Sequence, residues 1–160
     1  MYLNGTEKYI EETVKKYSPS MLRAAYAILK NKDDAEDAVQ EAFMKLIYKE
    51  PSFNDEAHEK AWLLRVTINI SKNMLKSSYR RSELYIEPIT IENQTDEVLQ
   101  YVLRLNERYS AVIHLYYYED YSIKEIASIL KLPAATVGTR LSRGKKILKN
   151  MLEGDSDLWI

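Results

Sequence analysis

The chain has 160 residues, a net charge of −1 and no cysteine, and 46% of its residues are hydrophobic. The lack of cysteine excludes disulfides, thiolate metal sites and cysteine nucleophiles, and four glycines and four prolines are too few for a fibrous or turn-rich all-β chain. No apolar run approaches the roughly 20 residues that a membrane-spanning helix needs. We therefore expect a helical, cytoplasmic protein with no membrane insertion, no cofactor and no metal.

The first half of the sequence predicts four helices. Apolar residues recur at helical spacing over about 7–17, 19–30, 34–48 and 60–81. Ser18 and Pro19 form a favourable N-cap and first helical residue for the second of them. Asp33 with Glu36 three residues on resembles a capping box, which would open the third. This half predicts an N-terminal helical domain over residues 1–81.

Residues 82–95 separate this half from the rest of the chain. They lose helical periodicity and contain Pro88, as interdomain linkers do. Beyond them, residues 96–160 predict a second domain with helices near 96–105, 107–119, 123–130 and 134–152. The expected fold is all-α, with two small helical domains joined by a flexible linker.

Two segments of the chain carry basic residues and no acidic ones. Residues 61–81 hold five lysines and arginines, and residues 131–150 hold six. The remainder holds 12 basic against all 24 acidic residues. This distribution predicts two cationic patches on an anionic body, which would contact phosphates locally and be repelled elsewhere.

The second basic segment has the layout of a helix-turn-helix over residues 122–149. Ser122 and Glu125 form a capping box for a short helix, and Val137 and Leu141 give a longer second helix an apolar inner stripe. Any amphipathic helix shows a polar outer face, but solvated faces usually mix the two signs of charge. This face has no acid, and it presents Thr136, Thr139, Arg140, Arg143 and Lys146 outward, which favours major-groove binding.

The C-terminal half also resembles a known family. Residues 109–118 read YSAVIHLYYY, residues 121–127 read YSIKEIA and residues 136–145 read TVGTRLSRGK. Together they resemble the minus-35-binding domain of extracytoplasmic-function (ECF) sigma factors of bacterial RNA polymerase, within the sigma-70 family. The resemblance implies promoter contacts by Thr136, Thr139, Arg140, Ser142, Arg143, Lys145 and Lys146.

Two positions depart from that family's pattern. Gly138 stands where the family usually has a long side chain, so one potential base reader is missing. Lys131 stands where a turn glycine is usual, so it must adopt a left-handed backbone or the turn must shift.

The N-terminal half resembles the same family independently. Residues 34–43, DAEDAVQEAF, are similar to the helix that docks on core RNA polymerase, which implies that Asp37, Gln40 and Glu41 face the polymerase. Residues 61–73, AWLLRVTINISKN, resemble the helix that holds and melts the minus-10 element. The resemblance implies minus-10 DNA contacts by Arg65, Asn69, Lys72, Lys76, Arg80 and Arg81.

The acidic start of the third helix has two further explanations. Acids stabilise a helix N-terminus through its dipole, and this effect coexists with a docking role. Paired acids could also hold magnesium in a nuclease, but no lysine, histidine or glycine-rich loop nearby completes such a site. His58 is expected to be a solvated loop residue and His114 a rim residue. We expect no enzymatic activity.

The sequence therefore predicts a sigma factor, monomeric when active, that binds core RNA polymerase and promoter DNA, with an anti-sigma factor as a further candidate partner. The alternative is a stand-alone helix-turn-helix repressor or activator, which would bind its operator unaided and usually as a dimer. A structural adaptor would leave the two acid-free segments unexplained.

Overall fold

Three helices form the N-terminal half of the computed structural model, which describes residues 6–81 and 97–154. They are α1 (Thr6–Leu29), α2 (Lys32–Lys49) and α3 (Glu56–Arg81). All three pack against one another around a core in which Met21, Ile28, Leu46, Leu63 and Leu64 are fully buried. Within the described ranges there is no β-strand, so the all-α prediction is confirmed.

Helix α1 is continuous, whereas the sequence predicted two helices divided at Ser18. Pro19 lies inside the helix and leaves one carbonyl of the preceding turn without its amide partner. Tyr17 and Met21, on either side of the proline, are buried in the core. We attribute the correction to this burial, which outweighs the local preference of proline for a first turn.

The N-cap of α2 also differs from the prediction. The Asn31 side chain accepts a hydrogen bond from the Asp34 amide at 3.0 Å, so Asn31 is the N-cap and Asp33 lies within the first turn. The helix begins two residues earlier than the sequence indicated. Asp33 and Asp34 thus lie where carboxylates interact favourably with the helix dipole.

The C-terminal half consists of short helices followed by one long helix. They are α4 (Glu97–Arg104), α5 (Glu107–Ile113), a π-helical turn (His114–Tyr118), α6 (Ile123–Leu130) and α7 (Ala134–Gly154). The predicted helix 107–119 is therefore α5 together with the π turn. The predicted linker, residues 82–95, lies outside the described residues, and the domain boundaries stay a prediction.

The two halves contact each other directly. The Ser110 hydroxyl donates to the Ala27 carbonyl at 2.7 Å and joins α5 to α1. The Arg65 guanidinium donates to the Ser128 carbonyl at 3.3 Å and joins α3 to α6. Hydrophobic residues of both halves belong to one buried cluster. No described helix is long and apolar enough to cross a membrane.

Candidate nucleic-acid interface

The helix-turn-helix is formed by α6 and α7, and its first helix is capped as the sequence predicted. The Glu125 amide donates to the Ser122 hydroxyl at 3.1 Å, and the Ser122 amide donates to the Glu125 carboxylate at 3.0 Å. Both bonds of the capping box are present, so local hydrogen bonds define the start of α6.

Lys131 ends α6 in a left-handed conformation, with φ 55° and ψ 50°. Of the two possibilities that the sequence left open, the lysine adopts the strained backbone and the turn does not shift. Leu132 follows, and its amide donates to the Ala127 carbonyl at 3.0 Å. The turn thus keeps the geometry that glycine would give, at a backbone cost of about 1 kcal/mol.

Gly138 and Gly144 lie on different faces of α7. Gly144 is buried against α5, and a Cβ atom added there would lie 2.8 Å from Ile113 Cδ1 and 3.2 Å from Tyr109 Cβ. A Cβ atom added at Gly138 would meet open space. Gly144 therefore permits close packing of α7 on α5, whereas Gly138 only leaves a gap in the outer face.

The outer face of α7 lines a cleft together with the start of α5. Four residues predicted to contact the minus-35 element line it: Thr136, Thr139, Arg140 and Arg143. Arg108 of α5 lines the same cleft and was not predicted. The signal in the sequence that could have suggested Arg108 is a basic residue two positions after the Asn106 N-cap. Three guanidinium groups around one cleft make a surface suited to phosphate.

Three other residues predicted for this surface do not line the cleft. Ser142 and Lys146 are exposed elsewhere on α7. Lys145 lies over the rings of Tyr116 and Tyr117, with its ammonium nitrogen 5.6 and 5.4 Å from the ring centroids. A hydrogen bond with Tyr117 raises the pKa of Lys145. Lys145 is therefore engaged with the π turn rather than directed into the cleft.

Helix α3 carries the second predicted DNA surface, and the C-terminal half covers part of it. Asn69 and Lys76 are exposed, but Arg65 is half-buried and bonded to the Ser128 carbonyl. Lys72 is also half-buried, and burial lowers its pKa, which the nearby Glu107 partly offsets. The side chains of Arg80 and Arg81 lie outside the described residues.

The half-buried Lys72 brings the two basic segments together. Positive charge on Arg140 of α7 and on Lys76 contributes to lowering the pKa of Lys72. One residue predicted for the minus-10 element and one predicted for the minus-35 element therefore lie close enough for Arg140 to disfavour the charged form of Lys72.

Helix α2 presents the residues predicted to contact the polymerase. Asp37, Gln40 and Glu41 are all exposed. The same face continues into three apolar side chains, Met44, Ile47 and Tyr48, which are 46%, 41% and 77% exposed. Large apolar residues clustered on one exposed face are typical of a protein-binding surface.

The two histidines occupy different environments from each other. His58 is exposed near the start of α3, where its Nδ1 atom accepts from the Asn54 amide at 3.1 Å. His114 was predicted at a rim, but it is 2% exposed and stacks against Tyr118; it follows the buried Ser110 by four residues and lies on the same inward face. Among the described residues, no group of three or more histidine, aspartate or glutamate side chains could hold a metal.

Comparison with protein families gives two matches in chain order. Residues 13–81 match the family described as Sigma-70 region 2, and residues 95–148 match Sigma-70, region 4. Together the matches cover about three quarters of the chain.

Curated proteins similar to this chain are sigma factors. The ECF RNA polymerase sigma factor SigW of Bacillus subtilis is 26% identical, over 92% of this chain and 91% of that protein. The ECF RNA polymerase sigma-E factor of Escherichia coli is 29% identical, over 75% of this chain and 74% of that protein.

Solved structures show the same fold. The sigma factor RpoE from Bartonella quintana, crystallised with the anti-sigma factor NepR, superposes with a TM-score of 0.73 at 22% identity, over 91% of this chain and 98% of that one. CnrH, solved in complex with the cytosolic domain of CnrY, gives a TM-score of 0.67 at 20% identity, over 94% of this chain and 92% of that one.

Proposed function

Because this chain belongs to the ECF group of the sigma-70 family, and is an RNA polymerase sigma factor that directs transcription initiation, we propose how its residues divide that task. The proposal rests on one observation: each of the two matched family regions contains one of the two acid-free basic segments. Region 2 includes the basic helix α3, and region 4 includes the basic helix α7. The matches give no support to a stand-alone repressor.

Helix α2 docks on core RNA polymerase. Asp37, Gln40 and Glu41 offer carboxylate and amide groups that suit arginines of a partner. Met44 and Tyr48 extend the same exposed face and would bury apolar surface against the partner. Polar groups beside exposed apolar groups are typical of a protein interface whose centre is desolvated on binding.

Helix α3 captures the minus-10 element. Asn69 is exposed, and its amide can both donate to and accept from the edge of an unpaired base. Arg65, Lys72, Lys76, Arg80 and Arg81 would contact the backbone around it. Arg65 and Lys72 reach DNA only after they leave the C-terminal half.

The cleft between α5 and α7 binds the minus-35 element. Thr136, Thr139, Ser142 and Arg143 are the base-reading residues, and all of them except Ser142 line the cleft. Arg108 and Arg140 hold phosphate. Lys145 and Lys146 contribute through their charge alone, since neither lines the cleft.

We further propose that the protein acts in the cytoplasm as a non-catalytic subunit, monomeric when active. Its fold is shared with the sigma factor RpoE, solved with the anti-sigma factor NepR, and with CnrH, solved with the cytosolic domain of CnrY. An anti-sigma factor is accordingly a partner to seek.

The test compares promoter binding by the chain alone, by core polymerase alone and by the two together. A sigma factor forms a specific promoter complex only with core polymerase present, as one copy per complex. Specific binding by the free chain, as a dimer on two half-sites, would contradict the proposal.

A further inference from the structure

The carboxylate of Glu119 joins the two halves of the chain. Glu119 follows the π turn in the C-terminal half, and its side chain is 3% exposed. Lys60 of α3 lies 2.9 Å from Oε2, and the Ser20 hydroxyl of α1 donates to the same oxygen at 3.3 Å. Arg23 of α1 lies 3.5 Å from Oε1. Three partners of this buried carboxylate therefore come from the N-terminal half.

The fourth partner belongs to the C-terminal half itself. His114 Nε2 is buried and lies 3.6 Å from Glu119 Oε1, slightly beyond ordinary hydrogen-bond distance. Burial alone would raise the pKa of Glu119, but His114 and Lys60 outweigh it and lower that pKa to about 2. Glu119 is thus ionised, and it needs the cations of the other half to remain buried as an anion.

The arrangement that Glu119 holds places residues of the two predicted promoter surfaces against the opposite half of the chain. The guanidinium of Arg65 in α3 donates a hydrogen bond to the Ser128 carbonyl of the helix-turn-helix. Lys72 is half-buried and repelled by Arg140 of α7. Both basic surfaces must separate before each can follow its own stretch of DNA backbone.

We propose that Glu119 is a latch that holds the free chain closed, with the promoter surface of α3 turned against the helix-turn-helix, and that its release from Arg23 and Lys60 precedes promoter binding. The part concerning promoters rests on the proposed function. The latch itself is a property of the free chain. A buried carboxylate with charged partners across a contact suits this role because its bonds are made or lost together when the two halves move.

The distance between the halves can be measured directly. Since the chain has no cysteine, Ser52→Cys and Asn150→Cys place one fluorophore on each half, both at exposed positions. Glu119→Gln keeps the side-chain volume and removes the charge. The control is Glu153→Gln, whose carboxylate pairs with Lys149 of the same helix at 3.9 Å and, among the described residues, with no charged group of the other half. A second latch variant, Arg23→Gln with Lys60→Gln, removes the partners from the opposite half.

We expect energy transfer to fall in Glu119→Gln and in the double variant. The ratio of open to closed chains should rise at least about tenfold, which corresponds to about 1.4 kcal/mol. Combining all three substitutions should add little, because they break the same contact. Glu153→Gln should match the wild type. With core polymerase, the opened variants should form promoter complexes faster.

Unchanged energy transfer in a folded Glu119→Gln chain, checked by far-UV circular dichroism, would overturn the latch. If that variant loses helicity, unchanged transfer in the double variant overturns it equally. If neither the wild type nor any variant forms promoter complexes with core polymerase, the proposed function is wrong. The energy-transfer measurements on the free chain still test the latch in that case.

Discussion

The guanidinium of Arg65 donates to the backbone carbonyl of Ser128, with an N–O distance of 3.3 Å. This bond ties the helix predicted to hold the minus-10 element to the first helix of the helix-turn-helix. Arg65, which is predicted to contact DNA, thereby makes a hydrogen bond within the protein. The closed arrangement consequently bears on promoter binding as well as on stability.

Gly138 and Gly144 of α7 give a matched pair of stability predictions. Gly138→Ala should raise the free energy of unfolding by about 0.5–1 kcal/mol, because alanine favours a helix and its Cβ meets open space. Gly144→Ala should be less stable than Gly138→Ala by about 1–3 kcal/mol, because its Cβ would press on Ile113 and Tyr109. Urea unfolding of both variants measures the difference. Equal free energies of unfolding would mean that α5 shifts away from the added Cβ atom at no energetic cost.

The polymerase contact can be separated from helix stability. Replacing Asp37 and Gln40 with alanine should change the unfolding free energy by less than about 0.5 kcal/mol, since both side chains are exposed. The same change should weaken binding to core polymerase. A titration against immobilised core, with Glu12→Ala on α1 as an exposed control, checks this. Affinity equal to that of the control would leave only a helix-dipole role for these residues.

The minus-35 cleft predicts different effects of its cations. Arg143→Ala should lose about 1–3 kcal/mol more on a matched minus-35 element than on a scrambled one, as a bidentate arginine–guanine pair would. Arg108→Ala and Lys146→Ala should weaken binding equally on both sequences, and each phosphate contact should contribute about 0.9 to the salt slope. The measurement uses polymerase holoenzyme. Equal losses for all three variants on both sequences would assign promoter choice to the minus-10 element.

Lys30 predicts a pH dependence of stability. Its ammonium donates to the Leu105 carbonyl across the two halves, and burial, partly offset by Glu107, lowers its pKa to about 8. The unfolded chain keeps this proton up to about pH 10.5, so the folded chain binds fewer protons between these values. The penalty for burying the charge is full below pH 8 and falls as pH rises towards 10.5.

The unfolding free energy of the wild type, measured at pH 7 and pH 9.5, should therefore increase relative to that of Lys30→Met over the same interval. The comparison cancels other groups that titrate in both proteins. An identical pH response of the two proteins would show that Lys30 keeps an ordinary pKa in the folded chain.

Local patterns in the sequence predicted the parts of the structure that depend on local physics. The capping box at Ser122 and Glu125 is present as expected, and Val137 and Leu141 are buried while Thr139 and Arg143 are exposed. Each of these depends on helical periodicity or on groups three residues apart. The family resemblance of both halves is confirmed for the same reason, because its motifs are continuous segments.

Contacts between distant segments could not be predicted in this way. Ser20 and Glu119 are 99 positions apart, and Arg65 and Ser128 are 63 apart. No spacing rule links such residues. The prediction at Pro19 was wrong for a related reason. The local signal for a helix start at Ser18 was outweighed by burial of the helical turns around Pro19. His114 was predicted at a rim although it follows the buried Ser110 by four residues, so helical periodicity would have placed it on the inward face.

Mapping transcription starts genome-wide with core polymerase, with and without this protein, tests the assignment as a sigma factor most directly. The account predicts a discrete set of starts that depends on the protein and shares one minus-35 and one minus-10 element. Starts no more frequent or specific than those of core polymerase alone would contradict it.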